Sequence, residues 1–165
     1  APGWFQGVAK AFSTIGSARV MLPFCVLLGL WLWFRSHSVA RYFALSISGA
    51  VLLNLALKLF FGRTRPQVVP WLWQEGDASF PIGHASMAAA LAVTITALLW
   101  RTLYRWLSAV LGAVYVIVMG VSRVYLGVHY PTDVLAGWAL VAWAGGVAVL
   151  LWERLREAQQ SGRQR

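Results

Sequence analysis

The stretch Phe80–Trp100, FPIGHASMAAALAVTITALLW, joins a Pro/Gly turn bearing a histidine to a run, Ala85–Trp100, that contains no charged side chain. As a helix that run rises about 24 Å, close to the thickness of a bilayer's hydrocarbon core. Its alanines let other helices come close, and its histidine stands where the chain leaves the apolar layer. The fold therefore turns on what surrounds this run, and the function on what the histidine meets at its end.

Working outward, the composition is that of a membrane protein. The chain has 165 residues, 59% hydrophobic and only 12% charged, with ten tryptophans, more apolar than a soluble domain of this length. Apolar runs bounded by charges fall at Arg19–Phe34, Tyr42–Phe61, Ala85–Trp100, Trp106–Ser122 and Val134–Trp152. These predict five transmembrane helices, the first short, in an all-α integral membrane bundle.

Residues 1–17 mix Trp4, Phe5, Val8, Phe12 and Ile15 with Lys10 and small polar residues, which predicts an N-terminal interfacial segment instead of a span. Residues 18–152 form the expected transmembrane domain and 153–165 a basic tail. The opening Ala-Pro-Gly, without a basic-then-apolar leader, suggests a piece trimmed from something longer, which leaves room for a sixth span upstream. No heptad, linker or long-period repeat interrupts the pattern.

The formal charge of +9 does not point to nucleic acid, because the arginines are scattered at span ends instead of forming one basic face. With five spans, alternate connections share a side. One side collects Arg35, Arg41, Arg101, Arg105, Arg154, Arg156, Arg163 and Arg165 and is predicted to be cytoplasmic. The other carries the N-terminal segment, the loop Gly62–Gly83 and the turn Gly127–Thr132, and faces outward. Trp31, Trp33, Trp100, Trp106 and Trp152 mark the inner ends, and Trp4, Trp71 and Trp73 the outer ones. Gly112, Gly120, Gly145 and Gly146 are expected to let helices approach closely. Cys25 has no partner for a disulfide and is expected to pack. Nothing in the sequence sets an oligomeric state.

The outer ends also gather ionisable residues. Lys58, Arg63 and Arg65 close the second span, His84 opens the third, Arg123 closes the fourth, and His129 and Asp133 open the fifth. Lys58 lies inside the end of its span, where an ammonium is costly unless it snorkels or meets an anion. Pro66 disfavours helix at Arg65 and turns the chain away. In His129-Tyr130-Pro131-Thr132-Asp133, the proline fits a first helical turn, and the carboxylate either caps that helix or reaches back to orient the imidazole. Two histidines and an aspartate are enough in number for zinc. Three or four neighbouring cations, however, repel a divalent metal and attract a divalent anion, whose oxygens suit guanidinium forks.

These residues resemble the type 2 phosphatidic acid phosphatases, membrane lipid phosphatases that share a core with vanadium-dependent haloperoxidases. The family's signatures, Lys-x6-Arg-Pro, Pro-Ser-Gly-His and Ser-Arg-x5-His-x3-Asp, are matched by KLFFGRTRP (Lys58–Pro66), PIGH (Pro81–His84) and SRVYLGVHYPTD (Ser122–Asp133). The resemblance covers about Gly16 to Trp152; members typically have six spans. It implies that His129 attacks phosphorus to form a phosphohistidine, that Asp133 orients it, and that His84 is the general acid. It also implies that Lys58, Arg65, Arg123 and the backbone amides at positions 82 and 83 hold the phosphate oxygens, with no metal or other cofactor. Family substrates include undecaprenyl pyrophosphate, phosphatidylglycerol phosphate, phosphatidic acid and diacylglycerol pyrophosphate.

One position departs from the pattern. Ile82 stands where the family has serine, so the amide is kept and a hydroxyl is lost. The leading expectation is a bacterial inner-membrane lipid phosphatase with an outward-facing site and lateral substrate access, Trp71-Leu72-Trp73 serving as guide or anchor. The alternative is a family member that binds lipid phosphate with little turnover. A transporter is disfavoured, because the ionisable groups gather at one face instead of crossing the bilayer.

Overall fold

The computed structural model describes residues 3–61, 83–139, 141–142, 145–146, 149 and 153–154. Arg63, Arg65, Trp71, Trp73, Pro81, Ile82, Trp152 and the tail beyond residue 154 lie outside the described residues. Five helices run in order: α1 (Gly3–Ile15), α2 (Ala18–Arg35), α3 (His37–Phe61), α4 (Gly83–Leu99) and α5 (Arg105–Tyr125). A sixth, α6, begins at residue 131, and its described stretches reach residue 154.

Within the opening stretch, Gly83–Leu99 forms α4, the centre of the bundle. Ala85, Ser86, Ala88, Ala89, Ala90, Leu91 and Thr94 are buried, and α4 packs on both α3 and α5. Small side chains on several faces make this possible, since without a hydrophobic force between helices in lipid, close van der Waals approach holds them together. The same logic appears at the glycines. A methyl on Gly120 would come within 2.4 Å of the Trp138 ring and 2.6 Å of Val134 on α6, and one on Gly145 within 2.5 Å of Val93. Gly112 faces Ala92 at 3.0 Å, whereas Gly146 meets nothing within 4 Å.

Among the described residues three helices, α2, α3 and α5, are long and apolar enough to cross a membrane, while α4 is a shorter apolar helix. Their lipid-facing sides carry exposed Leu27, Leu30, Leu45, Leu52, Leu55, Val110 and Leu111, which suits hydrocarbon and not water. Helices α2 and α3 meet at a single extended residue, Ser36, whose N–H closes the last turn of α2 on the Leu32 carbonyl at 2.7 Å. At that end Arg35 stacks over Trp31 and Arg105 over Trp106, with guanidinium carbons 5.4 Å and 5.7 Å from the ring centres. Trp100 packs edge-on to Trp106.

The N-terminal segment is helical and is docked along the last turns of α5. Phe5 meets Tyr125 edge-on, and Ala9 is buried with Leu126 and Val128. Cys25 is a free, buried thiol within the core cluster formed by α2, α3, α4 and Val141 of α6.

Candidate active site

Helix α5 carries on past the apolar run that ends at Ser122 and takes in Arg123, whose side chain is fully buried. A buried guanidinium needs acceptors, and one is supplied by α1: Arg123 Nη1 donates to Ser13 Oγ. Ser13 is itself completely buried. After Tyr125 the chain turns at Gly127, whose φ of 75° is the left-handed conformation that glycine adopts without strain. That turn delivers His129 to the start of α6.

The first turn of α6 then fixes the pair that follows. Pro131 occupies its first position, and Asp133 Oδ2 accepts the Tyr130 backbone N–H at 3.1 Å, the reach-back of a capping box. The same oxygen stands 3.9 Å from His129 Nδ1, with both side chains almost wholly buried. This is the separation of an ion pair, longer than a hydrogen bond. Of the two readings of His-x-x-x-Asp, the cap is thus seen as a hydrogen bond, and the same carboxylate stands beside the imidazole it would orient.

Across from this pair, α4 begins at Gly83 with His84 second, so the first-turn N–H groups, which a helix's own carbonyls do not meet, and the imidazole share one end of the helix. Lys58 sits in the last turn of α3. Lys58, Gly83, His84 and His129 line one cavity of about 200 Å³, together with Gly16, Ala18, Met21 and Leu22 from the α1–α2 region and Ala50, Val51 and Asn54 from α3. Four of the residues singled out in the sequence therefore meet. Arg123 and Asp133 are buried behind the surface, one held by Ser13 and the other beside His129. Arg65 and Ile82 fall outside the described residues.

Three contributors were missed by sequence reasoning. Asn54 lies one helical turn before Lys58 and donates through Nδ2 to Ser86 Oγ at 3.1 Å, tying α3 to α4 beside His84. An asparagine inside an apolar run was the available signal. Ser13 gave none, being one small polar residue among several in its segment. Gly16 packs so tightly that a methyl there would come within 2.4 Å of Met119 Cε and 3.3 Å of His84 Cδ2.

The fold and site together define a helical membrane bundle that places two histidines, a lysine and a helix N-terminus around a small pocket at one end, with a buried arginine and aspartate supporting it. The chain belongs to the PAP2 superfamily, whose family model matches residues 39–157. Phosphatidylglycerophosphatase B of Bacillus subtilis is 33% identical over 143 residues, 83% of this chain and 70% of that protein. Undecaprenyl-diphosphatase of Sulfolobus acidocaldarius is 32% identical over 149 residues, 87% of this chain and 69% of that protein. The crystal structure of a transmembrane PAP2 type phosphatidylglycerolphosphate phosphatase from Bacillus subtilis matches with a TM-score of 0.79 at 30% identity, covering 96% of this chain and 79% of that one.

Proposed function

We propose that this chain hydrolyses the phosphate monoester or pyrophosphate of a membrane lipid, such as undecaprenyl pyrophosphate, phosphatidylglycerol phosphate or phosphatidic acid, through a phosphohistidine and without a metal. The observation that carries this reading is the convergence of Lys58, Gly83, His84 and His129 on one small cavity. With Asp133 beside Nδ1 of His129, Nε2 is the nitrogen left for attack. It forms a bond to phosphorus as the ester or anhydride oxygen leaves, and His84 gives that oxygen a proton. Water then attacks phosphorus, the N–P bond breaks, and His84 takes the water's proton, returning the imidazole and releasing phosphate. Lys58, Arg65, Arg123 and the amides at 82 and 83 stabilise the equatorial oxygens, where charge builds up in the transition state.

A lipid substrate fits the setting. The cavity lies between α2 and α3, where Leu22 and Val51 line it and are also exposed on the lipid-facing surface, so an acyl or prenyl chain can remain in hydrocarbon while its phosphate reaches the histidines. The site end is assigned to the outer face and the arginine-rich end to the cytoplasm. A cysteine introduced at Thr102, in the turn between α4 and α5, is expected to react with an impermeant maleimide only after the cells are permeabilised. Labelling of intact cells would reverse the orientation.

Ile82 favours a second reading, a family member that holds lipid phosphate with little turnover. Loss of one charge-assisted hydrogen bond costs about 1.5–3 kcal/mol, equivalent to roughly 10- to 150-fold in rate if it acts in the transition state. Ile82→Ser is accordingly expected to raise phosphate release by that factor. The deciding assay is phosphate release from a panel of lipid phosphates by the wild type, Ile82→Ser and His129→Ala. Equal, background release by all three would end the phosphatase reading. Release by Ile82→Ser alone would favour the second one.

A further inference from the structure

We propose that Ser13 is a positioning residue of the phosphate site, holding Arg123 through its hydroxyl oxygen, so that helix α1 is a working part of the active site. The inference rests on the reading of Arg123 as a phosphate ligand. Ser13 lies upstream of residues 39–157, the part matched by the family model, and none of the three sequence signatures includes it.

The argument begins with burial. Arg123 and Ser13 both have no exposed surface, and Nη1 of the one donates to Oγ of the other. A serine hydroxyl is a small neutral acceptor: it fixes the direction of the guanidinium without cancelling its charge, as a carboxylate would. That suits a guanidinium proposed to meet a phosphate oxygen. An arginine has many rotamers, and holding one of them in advance lowers the entropy lost when phosphate binds. One turn further along, Gly16 lines the cavity and approaches His84 and Met119. The end of α1 and the turn that follows it therefore touch both the arginine and the proposed general acid. α1 is seated by Ala9 against Leu126 and Val128 in the turn that follows α5, which gives Ser13 a fixed platform.

The test uses Ser13→Ala, Ser13→Cys and Ser13→Thr with Arg123→Lys in a double-mutant cycle. Two readouts are taken: direct equilibrium binding of vanadate, and kcat and KM for phosphate release from phosphatidic acid in detergent micelles. Ser13→Cys nearly keeps the side-chain volume and swaps the oxygen for a weak sulfur acceptor, so it reads the hydrogen bond even if the alanine variant folds poorly.

Ser13→Ala and Ser13→Cys are expected to weaken vanadate binding and lower kcat/KM by about tenfold or more, and Ser13→Thr to stay within about threefold of wild type. On an Arg123→Lys background, Ser13→Ala is expected to add less than about twofold, because the partner is already changed. Wild-type vanadate affinity in Ser13→Cys, or full additivity with Arg123→Lys, overturns the proposal. Failure of the phosphatase reading looks different: the wild type then releases no more phosphate than His129→Ala, while vanadate binding still reports on the Ser13–Arg123 pair.

Discussion

Replacement of His129 by alanine is expected to reduce phosphate release by about 10⁴-fold or more, to the uncatalysed background, with little change in thermal stability. The size follows from the proposed role: without the imidazole no covalent intermediate forms, and the remaining cations can only bind the phosphate. Stability is expected to hold because the Asp133 carboxylate keeps its bond to the Tyr130 N–H and so still caps α6. Vanadate and lipid phosphate should still bind, since Lys58, Gly83 and the arginines remain. A variant that retains more than about a hundredth of wild-type turnover would remove His129 from the nucleophile's place.

Asp133→Asn is the second large effect, a fall in kcat of about 10²- to 10⁴-fold with the fold intact. Asparagine keeps an oxygen for the Tyr130 N–H, so the capping box survives. It removes the negative charge 3.9 Å from His129 Nδ1, and with it the stabilisation that the proposed mechanism requires for an imidazole becoming cationic as it attacks. Asp133→Ala removes both functions and should cost about 1 kcal/mol of stability in addition to the activity. The contrast is read by measuring kcat and thermal unfolding on both variants. If Asp133→Asn turned over within about threefold of wild type, the carboxylate would be a cap and nothing more.

How far the sequence alone led is clearest at the helix ends. Each described helix from α2 to α5 overlaps an expected span, because an uninterrupted apolar run has one economical conformation in lipid. The ends differ where charge predicts a boundary. The fourth span was expected to stop at Ser122, yet α5 continues through Arg123 to Tyr125; a guanidinium with a buried oxygen to meet need not leave the bundle. In the same way α3 starts at His37, ahead of Tyr42, with Arg41 Nε turned back to the His37 carbonyl at 3.3 Å.

At the candidate site, the sequence singles out Lys58, His84, His129 and Asp133, since each stands at an end of an apolar run where an ionisable group needs a reason; three of them line one cavity and Asp133 lies beside His129. Hydropathy has no such signal for Ser13, because a buried serine looks like any surface serine until its partner is known. Asn54 is the intermediate case, visible as an oddity in α3 but without its contact to Ser86. The docking of α1 on α5 was likewise hidden, since its apolar residues serve an interfacial helix and a packed one equally well.

The central claim is a covalent phosphate on His129, and rapid quenching with a ³²P-labelled lipid phosphate tests it most directly. The account predicts a protein-bound label that is stable in alkali, labile in acid, decays as free phosphate appears, and is missing in His129→Ala. Turnover by the wild type with no label on the protein at any quench time, or an equal label on His129→Ala, would contradict it.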